Sequence, residues 1–441
     1  MGKGTSALVT AWLGLAAVVG ADMVTDWNTT ALEVMKDNVT HPPKVGRDLA
    51  IVHLSIYDAL MAVDGTHFPF YTSPSAPTNT SRESAIASAG YHSLKALYPS
   101  YTGVLDNALA DSLSSIPDGA AKQNGLDLGE TVANAIVGWR AGDGWDAVVP
   151  YTPGTDPGEW RPTPPGYHPA LAPHWGGVTP FAIPDVSAFR PGPPPALTTT
   201  EYASALNEVA LLGRDNSVTR TSDQTQIAEF WNDFPGPTAA PPGKWNLIAQ
   251  VLADLEGSTL AGNARMFAML NVVLGDAGIV SWDAKYTYNL WRPETAIRLA
   301  DTDNNPGTLA DPAWAPTWPS PSFPEYTSGH STFSGASGEI LALFFGTDNI
   351  AFEVGAGFDV LPGVLRSYDN ISEAALEAGR SRIYGGIHFE FANVAGLSSG
   401  ADVADYVYGS YFHEVPEPTG LSVLAGLMAL LIVRRRRRRT L

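Results

Sequence analysis

Phe323-Pro324-Glu325-Tyr326-Thr327-Ser328-Gly329-His330, running directly into the apolar-periodic stretch Ser331 to Phe345, is the segment from which the rest of the chain is best read. A serine just before a helical run caps its free amides, and a glycine beside it lets an anion approach the backbone closely. His330 then falls in the first turn. The positive end of the helix dipole there favours the neutral imidazole, which suits it to general acid-base work. Taken alone, the same residues also describe an ordinary serine cap beside a surface histidine.

Two further patterns share the theme of oxyanion binding. In Trp282-Asp283-Ala284-Lys285-Tyr286-Thr287-Tyr288-Asn289-Leu290-Trp291-Arg292-Pro293, Lys285 and Arg292 are seven residues apart. That is about two helical turns, so the spacing predicts both cations on one helix face, one a point charge and the other a planar fork. Only 16% of the chain is charged, and a cation among Trp282, Tyr286, Leu290 and Trp291 needs a partner unless it is part of a solvated stripe. In Ser381-Arg382-Ile383-Tyr384-Gly385-Gly386-Ile387-His388, Arg382 adds a third cation. His388, between Ile387 and Phe389, reads as half-buried with one nitrogen to offer, or as a hydrogen-bonded core histidine. Two arginines, one lysine, a helix N-terminus and two histidines would assemble around a polyanionic centre with one axial bond.

Outward from these segments the hydrophobic period is helical almost everywhere, as at Ala50, Ile51, Leu54, Tyr57 and Met61, and an all-α fold follows. Helices are expected around 103–115, 120–140, 199–213, 222–233, 244–255, 259–299, 330–345, 371–381 and 390–411, with another through Ala87 to Leu97. An N-terminal helical region (22–147) and a catalytic bundle (197–414) flank residues 148–196, where proline, glycine and tryptophan crowd. That composition forbids a long helix, while Trp160, Phe181 and Phe189 argue for an ordered loop region over a flexible linker.

The 441 residues carry 45 acidic against 26 basic side chains, a net charge of −19. Six of the basic residues are Arg434 to Arg439, so the remainder is near −25 and repels nucleic acid. Cysteine is absent, which excludes disulfides, thiolate metal sites and a cysteine nucleophile. Residues 1–21 combine Lys3, an apolar run and a small-residue exit before Asp22, the pattern of a signal peptide. At the other end, Val415-Pro416-Glu417-Pro418, an apolar stretch from Leu421 to Val433 and the arginine block resemble a PEP-CTERM sorting signal (415–441). That resemblance implies export, handling by an exosortase and transient membrane association in a Gram-negative type of envelope, where the protein would stay or be released outside the cell. A permanent single-helix anchor is the alternative.

Lys-x6-Arg-Pro, Ser-Gly-His and Ser-Arg-x5-His, in that order, resemble the vanadium-dependent haloperoxidases of the type-2 phosphatidic-acid phosphatase superfamily. The resemblance implies two helical bundles with the site in the C-terminal one, and vanadate as cofactor. It implies that Lys285, Arg292, Arg382, Ser328 and Gly329 neutralise the vanadate oxygens, that His388 bonds the metal and that His330 is the acid-base group. Lys285 would polarise bound hydrogen peroxide for attack by a halide. Trp282 and Phe323 fall at halide-pocket positions, and a phenylalanine at the second leans toward chloride. The aspartate usual four residues after the ligand histidine is Ala392 here, followed by Asn393, which leaves the support of His388 to another group. Asp223 stands roughly where relatives place an acid near the catalytic histidine. The remaining seven histidines match nothing in the motif, and His53 reads as structural. Because phosphate resembles vanadate, the same residues would also suit an acid phosphatase acting through a phosphohistidine at His388.

Overall fold

The computed structural model describes residues 22–416; the proposed leader and the proposed tail beyond Pro416 lie outside the described residues. The helices run α1 (Met23–Asp37), α2 (Pro42–Asp64), α3 (Arg82–Leu97), α4 (Thr102–Leu113), α5 (Ala120–Arg140), α6 (Val186–Phe189) and α7 (Thr200–Leu212). They continue as α8 (Ser222–Phe230), α9 (Ala240–Leu255), α10 (Leu260–Tyr288), α11 (Pro293–Arg298), α12 (Gly329–Phe345), α13 (Ile371–Tyr384) and α14 (Glu390–Ser410). The sheet among the described residues is one antiparallel hairpin, β1 (Phe352–Gly355) with β2 (Leu365–Tyr368). The fold is therefore all-α, as the periodicity predicts. Helix starts follow local chemistry: Thr221 and Gln224 form a capping box on α8, and Pro42 and Pro43 occupy the first turn of α2. α1 has no counterpart among the expected helices; its signature is the Asp22–Thr25 capping box.

α10 is the axis of the molecule. Its 29 residues are apolar on nearly every side, packing α2 against one flank and α12 against another. It is the one described helix long and apolar enough to cross a membrane, but 94% of its apolar window is buried inside the protein, so it is a core helix. α2, α3 and α5 make one bundle, α12, α13 and α14 the other, and one hydrophobic core runs through both by way of α10. A smaller core under α7 and α11 contains Tyr202, Trp291, Trp314 and Phe389.

The expected helix 259–299 is in fact two. Asn289 adopts a left-handed φ of 50° that ends α10, and Pro293 opens α11. Asparagine tolerates that conformation better than most residues, and proline disfavours helical geometry in the residue before it. The loop region locks the break, since the Trp160 amide donates to the Asn289 carbonyl at 2.8 Å and the Trp291 amide to Gly158 at 2.8 Å. Farther along, the amides of Phe181, Ala182 and Ile183 all donate to the buried Asp276 carboxylate of α10. Trp160 and Trp175 are wholly buried, and residues 148–196 form an ordered wall.

α12 and α14 meet backbone to backbone. A Cβ placed on Gly335 would lie 2.1 Å from the Leu397 carbonyl oxygen, and one on Gly400 2.1 Å from that of Thr332. The same contact fixes the start of α12, because the Ser328 amide donates to the Ala392 carbonyl at 3.1 Å. Gly400→Ala should therefore destabilise the fold by about 1–3 kcal/mol, the usual cost of overpacking. Gly409→Ala, on the same helix with nothing within 4 Å of the new carbon, should leave the thermal midpoint unchanged or raise it. Equal midpoints for the two variants would contradict the contact.

Candidate active site

The last turn of α10 buries Lys285 completely. Its ammonium donates to the carbonyls of Pro324 at 3.3 Å, Glu325 at 3.2 Å and Thr327, with the Phe323 ring 4.9 Å away and Trp282 5.6 Å away. Burial, reinforced by the charge of Arg292, pushes its pKa well below the usual lysine value; Glu325 opposes the shift. Lys285 and Arg292 do not share a helix face, contrary to the two-turn expectation, because the chain breaks at Asn289. Arg292 is the N-cap of α11 instead, and the break turns it back toward the same place. Its Nε donates to the Phe323 carbonyl at 2.8 Å and its Nη1 to the Ile387 carbonyl at 2.9 Å. Nη1 also lies 3.1 Å from His388 Nε2, while Nη2 is buried without a partner. Burial lowers the Arg292 pKa to about 9.

Ser328 caps α12 and Gly329 is its first residue, as the sequence predicts. The Ser331 hydroxyl sits 2.8 Å from both Ser328 Oγ and Asn393 Oδ1, which ties the cap to α14. His330 presents a buried Nε2 with no hydrogen-bond partner. Its pKa lies well below the ordinary imidazole value chiefly through burial and next through the charge of Arg382, partly offset by the Trp231 carbonyl. The helix dipole is thus not the leading cause.

Arg382, on α13, donates through Nη1 to the Trp231 carbonyl at 2.8 Å, and its Nε is buried and partnerless. Burial lowers its pKa to about 10, against the pull of Asp233. His388 is buried, not half-buried. Its Nδ1 lies 2.9 Å from Glu325 Oε1, which also accepts the Phe389 amide at 2.9 Å. With the Arg292 donor facing Nε2, this network assigns the proton to Nδ1 and leaves the Nε2 lone pair facing the cations. Glu325 therefore fills the supporting role left open by Ala392, while Asn393 serves Ser331 instead. Burial raises the Glu325 pKa to about 7.

A cavity of about 260 Å³ gathers Trp282, Phe323, Gly329, His330, Arg382 and His388 in its wall, with Lys285, Arg292 and Ser328 directly behind. The Trp282 and Phe323 rings pack 4.9 Å apart. A larger open groove of about 970 Å³ beside α7 and α14 contains none of these cations or histidines. Asp223 is elsewhere, an exposed residue paired with Arg366 at 3.1 Å; the acid in the cavity wall is Asp233. Glu325 and Asp233 are the residues that sequence reasoning missed. Their signal was an acidic residue inside the apolar runs Phe-Pro-Glu-Tyr and Trp-Asn-Asp-Phe, since a buried charge demands a partner. His168, unassigned by the motif, also lines the cavity, whereas His53 is structural, bonded to Asn28 and stacked on Phe267.

Three buried cations held mostly by backbone carbonyls, partnerless Arg292 Nη2, Arg382 Nε and His330 Nε2, and a capped helix N-terminus make a donor set that fits a tetrahedral oxyanion such as vanadate.

Residues 265–415 match the family described as the VCPO second helical-bundle domain. Vanadium chloroperoxidase of Curvularia inaequalis is 26% identical over 480 aligned positions, covering 83% of this chain and 78% of that protein. The crystal structure of a bacterial vanadium-dependent iodoperoxidase superposes with a TM-score of 0.79 at 29% identity, over 90% of this chain and 97% of that one. A holo-type bacterial vanadium-dependent chloroperoxidase shares the fold, with a TM-score of 0.65 at 17% identity over 90% of this chain and 94% of that one. In its second bundle, its fold and its converging oxyanion donors the chain is similar to the vanadium haloperoxidases.

Proposed function

We propose that the chain oxidises a halide with hydrogen peroxide to hypohalous acid, X⁻ + H₂O₂ + H⁺ → HOX + H₂O, as a vanadium-dependent haloperoxidase. The supporting observation is the convergence of three separate stretches of sequence on one cavity, with Arg382, His330 and His388 in its wall and Lys285 and Arg292 directly behind. Vanadate, when bound, supplies the Lewis-acidic centre that activates peroxide for two-electron oxidation. Arg292, Arg382, the Gly329 amide and the Ser328 hydroxyl would hold its oxygens, and His388 Nε2, aimed by Glu325, would be its protein bond. The backbone carbonyls fix Lys285, whose charge would be available to polarise an oxygen of the bound group. His330 Nε2, neutral because buried, accepts the proton that peroxide loses and returns it to the leaving oxygen. Trp282 and Phe323 would flank the halide, and the resemblance at Phe323 leans toward chloride.

Orthovanadate-loaded protein should convert a halogenation probe in the presence of peroxide, and rates with chloride, bromide and iodide rank the halides. Hydrolysis of p-nitrophenyl phosphate inhibited by vanadate, without halogenation, would instead identify an acid phosphatase. His388→Ala should abolish retention of vanadium through gel filtration, and Glu325→Gln should weaken vanadate affinity about 10–100-fold. His330→Ala should retain the metal and slow turnover about 10²–10⁴-fold; stoichiometric vanadium in His388→Ala would refute the ligand assignment.

We propose as well that the chain is exported and that its tail is handled by exosortase-type machinery at the membrane, which the pattern of the two ends supports. The mature protein should begin at residue 22; an intact Met1 on protein recovered from the cell envelope would refute export through a cleaved leader.

A further inference from the structure

The cavity is more apolar than its polar co-substrates require. Hydrogen peroxide and halides are small and strongly hydrated, so neither gains from a hydrocarbon wall, and a halide loses hydration in crossing one. Yet away from Arg382, His330 and His388 the lining includes Leu171, Phe234, Pro235, Pro241, Pro319 and Pro321. Proline rings fix their own backbone geometry, so this wall holds its shape when nothing presses on it. Phe234 is half-buried, belongs to neither hydrophobic core and lines the cavity. Aromatic side chains left out of the core and turned into a pocket are the usual anchors for ligand rings. His168, exposed, and Ser322 line the same cavity and offer polar groups to a ring substituent.

The size restricts what fits. The volume is about 260 Å³, whereas an apolar cavity of about 150 Å³ accepts one benzene ring. The space has room for an oxyanion and a single six-membered ring.

We propose that this cavity binds a monocyclic, electron-rich aromatic acceptor of the phenol class against Phe234, and that halogen passes to it there, before hypohalous acid reaches bulk water. This rests on the halide oxidation proposed above, which supplies the oxidant. In the transfer, ArH + HOX → ArX + H₂O, a ring carbon forms the new C–X bond as the X–O bond breaks. The electron pair of that bond leaves on the hydroxyl oxygen, which takes up one proton to become water, and the ring carbon loses one proton to restore aromaticity.

Competition separates transfer in the cavity from transfer in solution. Vanadate-loaded full-length protein is given peroxide, bromide and equal amounts of free phenol and phenol tethered to polyethylene glycol, and the product ratio is compared with that from reagent hypobromous acid. The expected result is a preference for free phenol about tenfold above the reagent ratio. A ratio equal to the reagent's overturns the proposal. Independently of activity, calorimetric titration of the metal-free protein with phenol should show binding that Phe234→Ala weakens about three- to tenfold, the range of an aromatic contact. Unchanged binding in that variant also counts against the proposal. Iodide oxidation to triiodide without any organic acceptor reports the underlying function alone. Its absence overturns the haloperoxidase reading, while its presence beside a reagent-like product ratio overturns only transfer inside the cavity.

Discussion

Three cations taken wholly out of water beside one another are the constraint around which this protein is organised. Lys285, Arg292 and Arg382 are each buried, and an uncompensated buried charge costs several kcal/mol even after relaxation. The fold answers mainly with backbone carbonyls, which stabilise a cation without cancelling its charge. Carbonyls of Phe323, Pro324, Glu325 and Thr327 serve Lys285 and Arg292, and Trp231 serves Arg382. The positive charge that remains is available to an anion. Bringing the anion in reverses the burial penalty that lowers these pKa values, so cofactor binding and charge retention reinforce each other.

Residues 323–330 concentrate most of this chemistry in eight positions. They supply the carbonyls for two cations, a ring against both, the carboxylate that orients His388, the helix cap, the close-approach glycine and the acid-base histidine. Such a segment must be held rigidly, because donors displaced by even an ångström lose much of their value for a reaction centre. The α12–α14 contact holds one end through Ser328, and the loop region holds the other, since Leu171 donates its amide to the Ser322 carbonyl at 2.7 Å. Trp282 and Tyr286 in turn donate to the Leu171 carbonyl. The proline-rich stretch between the bundles is thus part of the site's framework, and its residue Leu171 is also a wall of the cavity.

His388 takes its support from a buried acid distant in sequence. With Ala392 four residues after it, the imidazole is oriented by Glu325, 63 residues earlier in the chain. A carboxylate on Nδ1 raises the basicity of Nε2 and fixes the tautomer, whichever segment supplies it. Asp233 lies in the cavity wall near Arg382, whose pKa its charge raises, and 3.7 Å from the buried Lys244.

Most of the helices, the Ser328 cap and the residue types of the site were legible in the sequence, because these depend on local periodicity and on chemistry carried within a few positions; α1 was not. The three motifs, the Ser328 cap with Gly329, and the ordered character of 148–196 were all legible that way. The break at Asn289 was not, since a 29-residue apolar helix gives no periodic warning of its end and the loop that secures it is over a hundred residues away. Lys285 and Arg292 consequently meet for a reason other than their spacing. Tertiary structure alone decided that Glu325 supports His388 and that Asp233, not Asp223, faces the cavity. A buried carboxylate is placed by the partners that satisfy it, and those partners come from segments that only packing brings together.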